Sequence, residues 1–237
     1  MKTIVRMNSK VLVAILGLLL LSTSVLMAQK HMFITTSSNE AREQFANGRE
    51  QFAKFQFEEA IHYFNKATQL DPEFALAYVY CSMAEKGGVN FSKNYLEKAI
   101  ELKDQVTEGE RELILFAKAT AENNALAQNQ HINNLIELYP EDERVQTWAG
   151  TYFYRNQDYK KALTHLNNAY RENKKYHPAV NLLGYTYMQM GKTNRAEKKF
   201  KEYISLLPAN ANPYDSYGDF LLRQGRFTES TRNYQKA

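Results

Sequence analysis

The sequence predicts an all-α solenoid in which antiparallel helix hairpins stack as about six repeats of 34 residues. Glycine recurs on one register of that period, at Gly48, Gly150, Gly184 and Gly218. Proline recurs on another, at Pro72, Pro140 and Pro208. Within a repeat, apolar residues are spaced by three and four, which indicates one buried face of a helix. No alternating apolar run is long enough to predict a sheet.

The fifth repeat shows why these residues form a hairpin. Val180, Leu183 and Tyr187 lie on one face of a first helix, and the Gly191 turn separates it from a second helix. Glycine inside a helix costs about 1 kcal/mol relative to alanine. Close packing is the expected compensation, because Gly184 and Ala196 let the two backbones approach while Phe200 fills the space above them.

Capping signals predict several helix starts. A capping box pairs a Ser or Thr with a Glu three residues later, and two occur, at Ser37 with Glu40 and at Thr107 with Glu110. An acidic cap before a first-turn proline is predicted at Asp71 and Pro72.

The repeats resemble the tetratricopeptide repeat family over about residues 39–237. The fifth unit, AVNLLGYTYMQMGKTNRAEKKFKEYISLLP, and the sixth, NPYDSYGDFLLRQGRFTESTRNYQKA, carry the resemblance most clearly. It implies two antiparallel helices per unit and a right-handed superhelix with a concave groove. The predicted units are about 41–74, 75–106, 107–140, 141–176, 177–210 and 211–237, and the last is incomplete.

The N-terminus predicts export. Lys2, Arg6 and Lys10 precede an apolar run of 11 residues at 11–21, and small residues lead to Ala28. This pattern is typical of a signal peptide at 1–28, followed by a short linker at 29–38. The alternative is an uncleaved anchor, although a spanning helix needs about 20 apolar residues. The expected location is the bacterial periplasm or envelope, with secretion as the alternative.

Charge argues against a nucleic-acid partner. The net charge of the whole chain is +4, and removal of the three basic residues within 1–28 leaves +4 − 3 = +1. Acidic and basic residues are interspersed, as on a solvated helical surface, whereas nucleic-acid binders concentrate basic residues on one face. The run at Lys198, Lys199 and Lys201 is interpreted as a solvent-facing helix edge.

No catalytic residue, cofactor or metal is predicted. Cys81, the only cysteine, lies in an apolar helical pattern without a nearby base and is expected to be a core residue. None of the five histidines has a partner histidine at the helical spacing of three or four that a shared metal site needs. The segment from Gly191 to Thr193 resembles the end of a phosphate-binding loop, but Thr186 stands where that loop needs glycine.

The resemblance also implies where a partner binds, because first helices line the groove in this family. The groove-facing residues of units four to six are Arg144, Thr147, Thr151, Tyr154, Arg155, Asn181, Tyr185, Met188, Gln189, Asp215, Asp219, Leu222 and Arg223. Thr147 and Thr151 occupy places where family members that bind a peptide's terminal carboxylate need Lys and Asn, so that mode of binding is not expected here. The paired Asp215 and Asp219 favour a basic segment instead. The alternative is that these are merely solvated helix faces.

The sequence therefore predicts an exported, non-enzymatic scaffold that binds a protein or peptide in its groove. One alternative is an accessory module of a longer enzyme or regulator, since the chain stops at Ala237 inside a predicted helix. The other is a structural protein that associates with itself through this uncapped end. Fold-level analogy does not choose among them.

Overall fold

The computed structural model describes residues 30–88 and 90–237, so the predicted signal peptide lies outside the described residues. That part of the chain forms twelve helices and no strands. The helices are α1 Asn39–Ala53, α2 Phe57–Leu70, α3 Ala75–Glu85, α4 Lys93–Glu101, α5 Glu108–Ala121, α6 Ala125–Leu138, α7 Glu143–Arg155, α8 Tyr159–Glu172, α9 His177–Gln189, α10 Thr193–Leu206, α11 Ala211–Arg223 and α12 Phe227–Tyr234.

The helices pair consecutively into six hairpins, from α1 with α2 to α11 with α12. Each second helix also packs against the first helix of the next hairpin, which makes one continuous array. The predicted all-α repeat array is therefore confirmed. None of the helices among the described residues is both long enough and apolar enough to cross a membrane.

The glycine register marks a close approach of the two helices in four of the six hairpins. A Cβ atom built on Gly184 would lie 2.8 Å from Cε1 of Phe200, closer than packed carbon atoms come. A Cβ on Gly48 would lie 2.5 Å from Cε1 of Phe64, and one on Gly150 would lie 2.6 Å from Leu166. Glycine is used at these positions because the facing side chain occupies the space of its missing Cβ.

The turns inside five of the hairpins share one backbone conformation. Gly191 and Gly225 have positive φ angles of 67° and 73°. Phe55, Asn123 and Gln157 adopt φ angles of 63°, 54° and 61° at the matching positions of earlier repeats. A left-handed residue costs roughly 1–2 kcal/mol when it is not glycine. The packing of the two helices therefore dictates the turn, even where the local sequence does not favour it.

One predicted helix start is confirmed and two are wrong. Thr107 and Glu110 form the expected capping box at the start of α5. The cap of α1 is Ser38 rather than Ser37, because the Ser38 hydroxyl accepts the Ala41 N–H at 3.1 Å.

The start predicted at Asp71 and Pro72 is the second error. Helix α3 begins only at Ala75 and has no side-chain cap, while Asp71 follows the end of α2. The Asp71 carboxylate accepts the Glu73 N–H at 3.0 Å, which closes a turn between the two helices. This local hydrogen bond competes with helix capping.

The segment predicted as a short linker is packed along the array. The Met32 N–H donates to Oδ2 of Asp142 at 2.8 Å, and the Thr35 N–H donates to Oε1 of Glu110 at 2.8 Å. Arg42 donates to the backbone oxygens of residues 34 and 36, both at 2.9 Å. The Met32 side chain is buried in the core. Residues 30–36 therefore link the starts of α5 and α7 to α1.

Cys81 is a core residue, as predicted, and its buried environment lowers the reactivity of its thiol. The side chain is fully buried in α3, and burial, reinforced by Glu85, raises the pKa of the thiol to about 12. Because the thiolate is the reactive form, we expect a disulfide reagent to modify the native protein on the order of a thousandfold more slowly than the unfolded chain. Rapid stoichiometric labelling without denaturant would show that α3 is not buried in solution.

Candidate functional site

A cavity of about 590 Å³ lies between the first helices of four repeats, and we call it the groove cavity. It opens between α1, α3, α7 and α9. Its lining residues are Ala46, Arg49, Glu50, Phe52, Ala53, Phe55, Phe57, Tyr80, Met83, Gly87, Gly88, Glu143, Arg144, Thr147, Trp148, Thr151, Tyr154, Arg155, Tyr176, Pro178, Asn181, Leu182 and Tyr185. This volume falls in the range of roughly 300–1,000 Å³ that is typical of ligand sites.

The repeat period explains how these side chains come together. Arg49, Met83, Thr151 and Tyr185 lie on one 34-residue register, so they occupy equivalent places on α1, α3, α7 and α9. Ala46, Tyr80, Trp148 and Leu182 lie on a second register, one helical turn earlier. Stacking of equivalent helices aligns each register into a row, and two adjacent rows form most of the wall.

The array curls tightly enough for α3 to meet α7. The rings of Tyr80 and Trp148 are 6.5 Å apart, although α5 lies between their helices in sequence. The α5 members of the two registers, Ile114 and Ala117, are fully buried and do not line the cavity. Small and aliphatic residues on α5 thus allow its neighbours to close around the groove cavity.

Charge on the cavity wall is largely compensated. Arg144 Nε donates to Oδ1 of Asp142 at 2.9 Å, and Arg144 Nη2 donates to the Met32 oxygen at 3.2 Å. Glu50 pairs with Lys54 at 2.6 Å. Two polar side chains carry a buried atom without a partner in the structure, Nε of Arg49 and Oδ1 of Asn181.

The structure brings together the predicted site residues of units four and five that lie on α7 and the first half of α9. Those that line the groove cavity are Arg144, Thr147, Thr151, Tyr154, Arg155, Asn181 and Tyr185. Arg144 forms an ion pair with Asp142 and its side chain is only 12% exposed. It therefore stabilises the cavity wall and leaves little surface for a partner to contact. Gln189 lies beyond the lining and donates to the Tyr154 hydroxyl at 3.4 Å. Met188 packs partly buried in the core.

The predicted residues of the sixth unit do not reach the groove cavity. Asp215 and Arg223 are exposed on α11, as is Leu222. The Asp219 carboxylate accepts hydrogen bonds from the hydroxyls of Tyr185 at 3.3 Å and Tyr234 at 2.7 Å. Partial desolvation and the charge of the neighbouring Asp219 raise the pKa of Asp215. Asp219 therefore links two repeats, in addition to any contact with a basic partner.

Two histidines on the second helices have local structural partners. Nδ1 of His131 is 2.8 Å from the Glu112 carboxylate, and Nδ1 of His165 is 2.9 Å from the Gln146 oxygen. Glu112 and Gln146 occupy equivalent positions one repeat apart, so both contacts join the helices of one hairpin. Burial, with a smaller effect from Lys161, lowers the pKa of His165.

Among the described residues, one group of three side chains has the spacing of a metal site. Ligand atoms of His31, Asp142 and Glu143 lie within 4.8 Å of one another. The Asp142 carboxylate, however, already accepts hydrogen bonds from Arg144 and from the Met32 N–H. We interpret the group as part of the ion pair that fixes residues 30–36.

Sequence reasoning missed the half of the groove cavity that α1 and α3 contribute. Arg49, Phe52, Tyr80 and Met83 line the wall, as does Trp148 on α7. The signal was available, because stepping back from Thr151 by 34 residues three times reaches Arg49. The closure of the array, which brings these residues opposite α7 and α9, has no comparable signal in the sequence.

Comparisons with known proteins agree with this architecture. The tetratricopeptide repeat family model matches residues 48–74 and 177–210. A chain of the APC/C hetero-tetramer Cut9–Hcn1 superposes with a TM-score of 0.55 and 18% identity, over 83% of this chain and 39% of that chain. A monomeric mutant of IFIT1 crystallised with Gppp-AAAA gives a TM-score of 0.61 and 16% identity, over 83% of this chain and 49% of that chain.

The crystal structure of MamA gives 18% identity and a TM-score of 0.41, over 80% of this chain and 91% of that chain. No curated protein sequence matches this chain. The chain spans less than half the length of the Cut9–Hcn1 and IFIT1 chains, and these likenesses show the fold alone. The family match identifies tetratricopeptide repeats at residues 48–74 and 177–210, and the stacked hairpins continue the same repeat architecture through the other described residues.

Proposed function

We propose that this protein is an exported, non-catalytic scaffold that binds a protein or peptide segment through the groove cavity and the adjoining surface of α7 and α9. The observation that supports this function is the cavity itself, whose aromatic wall is assembled from four repeats. Apolar cavities rimmed by polar side chains are typical recognition sites, and Tyr, Trp and Arg are the residues that most often dominate binding energy.

Export is part of the proposal and rests on the signal-like pattern of residues 1–28. We expect the protein in the periplasmic or envelope fraction, with a mature N-terminus at Gln29. Because the Met32 N–H is held by Asp142, cleavage at this point leaves the packed segment intact. Recovery of the protein in the cytosolic fraction with Met1 retained would contradict export.

Binding is tested by cross-linking in native cells, followed by purification of the full chain through a C-terminal tag. The test variant carries Arg155→Ala and Gln189→Ala, because both side chains are exposed, Arg155 in the cavity lining and Gln189 next to the lining residue Tyr154. Tyr185 is a poorer choice, since its ring packs against Phe200 at 5.1 Å and its loss would disturb the fold. We expect a specific partner that the variant captures on the order of tenfold less well.

The matched control carries Gln130→Ala and Lys198→Ala, on the exposed faces of the second helices α6 and α10. It should capture the partner as the unmodified protein does. Equal capture of the partner by both variants would show that the binding site lies outside the groove. Loss of capture by the control variant alone would show that it lies on the second helices.

A further inference from the structure

We propose that the groove cavity recognises an aromatic side chain of an extended peptide segment. This inference rests on the proposed function and deepens it, because it assigns the chemistry of the partner's anchor. It is supported by the geometry of the rings in the wall, by two polar atoms without partners, and by the charge balance of the lining residues.

The wall offers aromatic contacts from several helices at once. Tyr80 packs with Phe52 at 5.6 Å between ring centroids and an interplanar angle of 73°, and with Trp148 at 6.5 Å and 60°. Tyr154 and Tyr185 lie on α7 and α9. Inclined rings of this kind present both edges and faces, which are the arrangements that aromatic pairs prefer. A third ring entering the cavity therefore finds favourable partners on more than one side.

Two unpartnered polar atoms match a peptide backbone. Asn181 is only 5% exposed, and its Oδ1 has no donor, while Nε of Arg49 has no acceptor. A buried polar atom without a partner costs about 1–3 kcal/mol. One peptide unit supplies one N–H and one C=O, so a bound backbone can offer a donor for Asn181 and an acceptor for Arg49.

The charges of the lining residues argue against a basic anchor. The Arg144 guanidinium is neutralised by Asp142, Glu50 is paired with Lys54, and Nε of the cationic Arg49 has no acceptor. An ammonium group entering the cavity would lose its hydration and would meet the positive charge of Arg49. An aromatic side chain gains from burial without that cost, because its transfer from water is favourable.

The experiment uses Trp148, which lines the cavity and is the only tryptophan of the chain. Short random peptides without tryptophan are selected on the purified full chain, and their binding is followed by Trp148 emission. We expect the selected peptides to share a Phe or Tyr at one position. Its replacement by Ala should weaken binding about tenfold or more, which is the usual effect of a buried aromatic anchor.

The matched variants are Ala53→Phe, which places a ring in the cavity wall, and Ala125→Phe, which places one on the exposed start of α6. We expect the first to weaken peptide binding about tenfold and the second to leave it unchanged. Both variants should unfold at the same temperature as the unmodified protein, which separates blocked binding from lost folding.

Three results would overturn the inference. They are selected peptides without an aromatic position, full binding by Ala53→Phe, and a selection that yields no peptide. In the first two cases, the proposed function still holds if the selected peptides do not bind the variant that carries Arg155→Ala and Gln189→Ala. If no peptide is selected and the cross-linking experiment also yields no partner, the proposed function fails with the inference.

Discussion

Asp142→Ala is expected to lower the free energy of unfolding by about 3–5 kcal/mol, because it removes the partner of a buried charge. The Asp142 side chain is fully buried, and Arg144 is only 12% exposed. The same carboxylate caps α7 by accepting the N–H groups of Arg144 at 2.8 Å and Val145 at 3.3 Å. It also accepts the Met32 N–H, so one substitution disturbs an ion pair, a helix cap and the attachment of residues 30–36.

Asp158→Ala is the matched control, since Asp158 caps α8 with a side chain that is 40% exposed. Loss of an exposed cap costs about 1 kcal/mol. Chemical denaturation of both variants measures the difference in free energy. If the Asp142 variant loses no more stability than the Asp158 variant, the network around residues 30–36 does not stabilise the array in solution.

The contribution of Asp142 to the free energy of unfolding is also expected to depend on pH. Burial by itself raises the pKa of this carboxyl, but the hydrogen bond and charge of Arg144 outweigh burial and hold the pKa below its ordinary value of 3.8. The Asp142 contribution is therefore fully present above that value and is lost as the pH falls below it. The Asp142→Ala effect should shrink on acidification through this range.

Gly184→Leu is expected to lower the free energy of unfolding by about 1–3 kcal/mol through overpacking. Even the first atom of the new side chain would lie 2.8 Å from Phe200, whose ring is fully buried. Ala196→Phe is expected to have a similar effect, because Ala196 is fully buried on the facing helix. Thermal and chemical unfolding measure both variants.

Ser205→Leu provides the control for added apolar volume, since Ser205 is exposed on α10. Exposed substitutions usually change stability by less than about 0.5 kcal/mol. Combining Gly184→Leu with Phe200→Leu should restore part of the loss, because the smaller side chain vacates the contested space. An unchanged melting temperature for Gly184→Leu would refute the assigned helix interface.

The repeat fold could be predicted because its determinants recur in the sequence. Gly184 and Phe200 lie 16 residues apart, and Gly48 and Phe64 repeat the same separation. A contact within one hairpin therefore appears once per period, which makes it visible as a pattern. The Met32 to Asp142 hydrogen bond joins residues 110 apart and occurs once, so no periodicity reveals it. The packing of residues 30–36 was missed for that reason.

The burial of α3 also depends on contacts between repeats that are distant in sequence. Its sequence, ALAYVYCSMAE, is apolar all round, which is typical of a helix enclosed by neighbours. Tyr80 contacts Phe45 and Phe64 in the first hairpin and Trp148 on α7. These partners come from repeats on both sides, and the curvature that brings them together depends on the summed geometry of several interfaces.

The candidate site was accessible from the sequence only in part. Thr151 and Tyr185 could be assigned to the groove because the register of a first helix follows from the resemblance. Asp219 belongs to the same register, but it lies one hairpin beyond the cavity and binds Tyr185 and Tyr234. Register gives the face on which a residue lies, whereas the curvature of the array decides which members of that face meet.

The most direct test of the account is site-specific photo-cross-linking from the groove in native cells. A photoreactive phenylalanine analogue replaces Arg155, at the rim of the groove cavity, and in a second protein it replaces Lys198, exposed on α10. We predict that position 155 forms a covalent adduct with a specific partner and that position 198 does not. An adduct formed only from position 198, or equally from both positions, would contradict recognition through the groove.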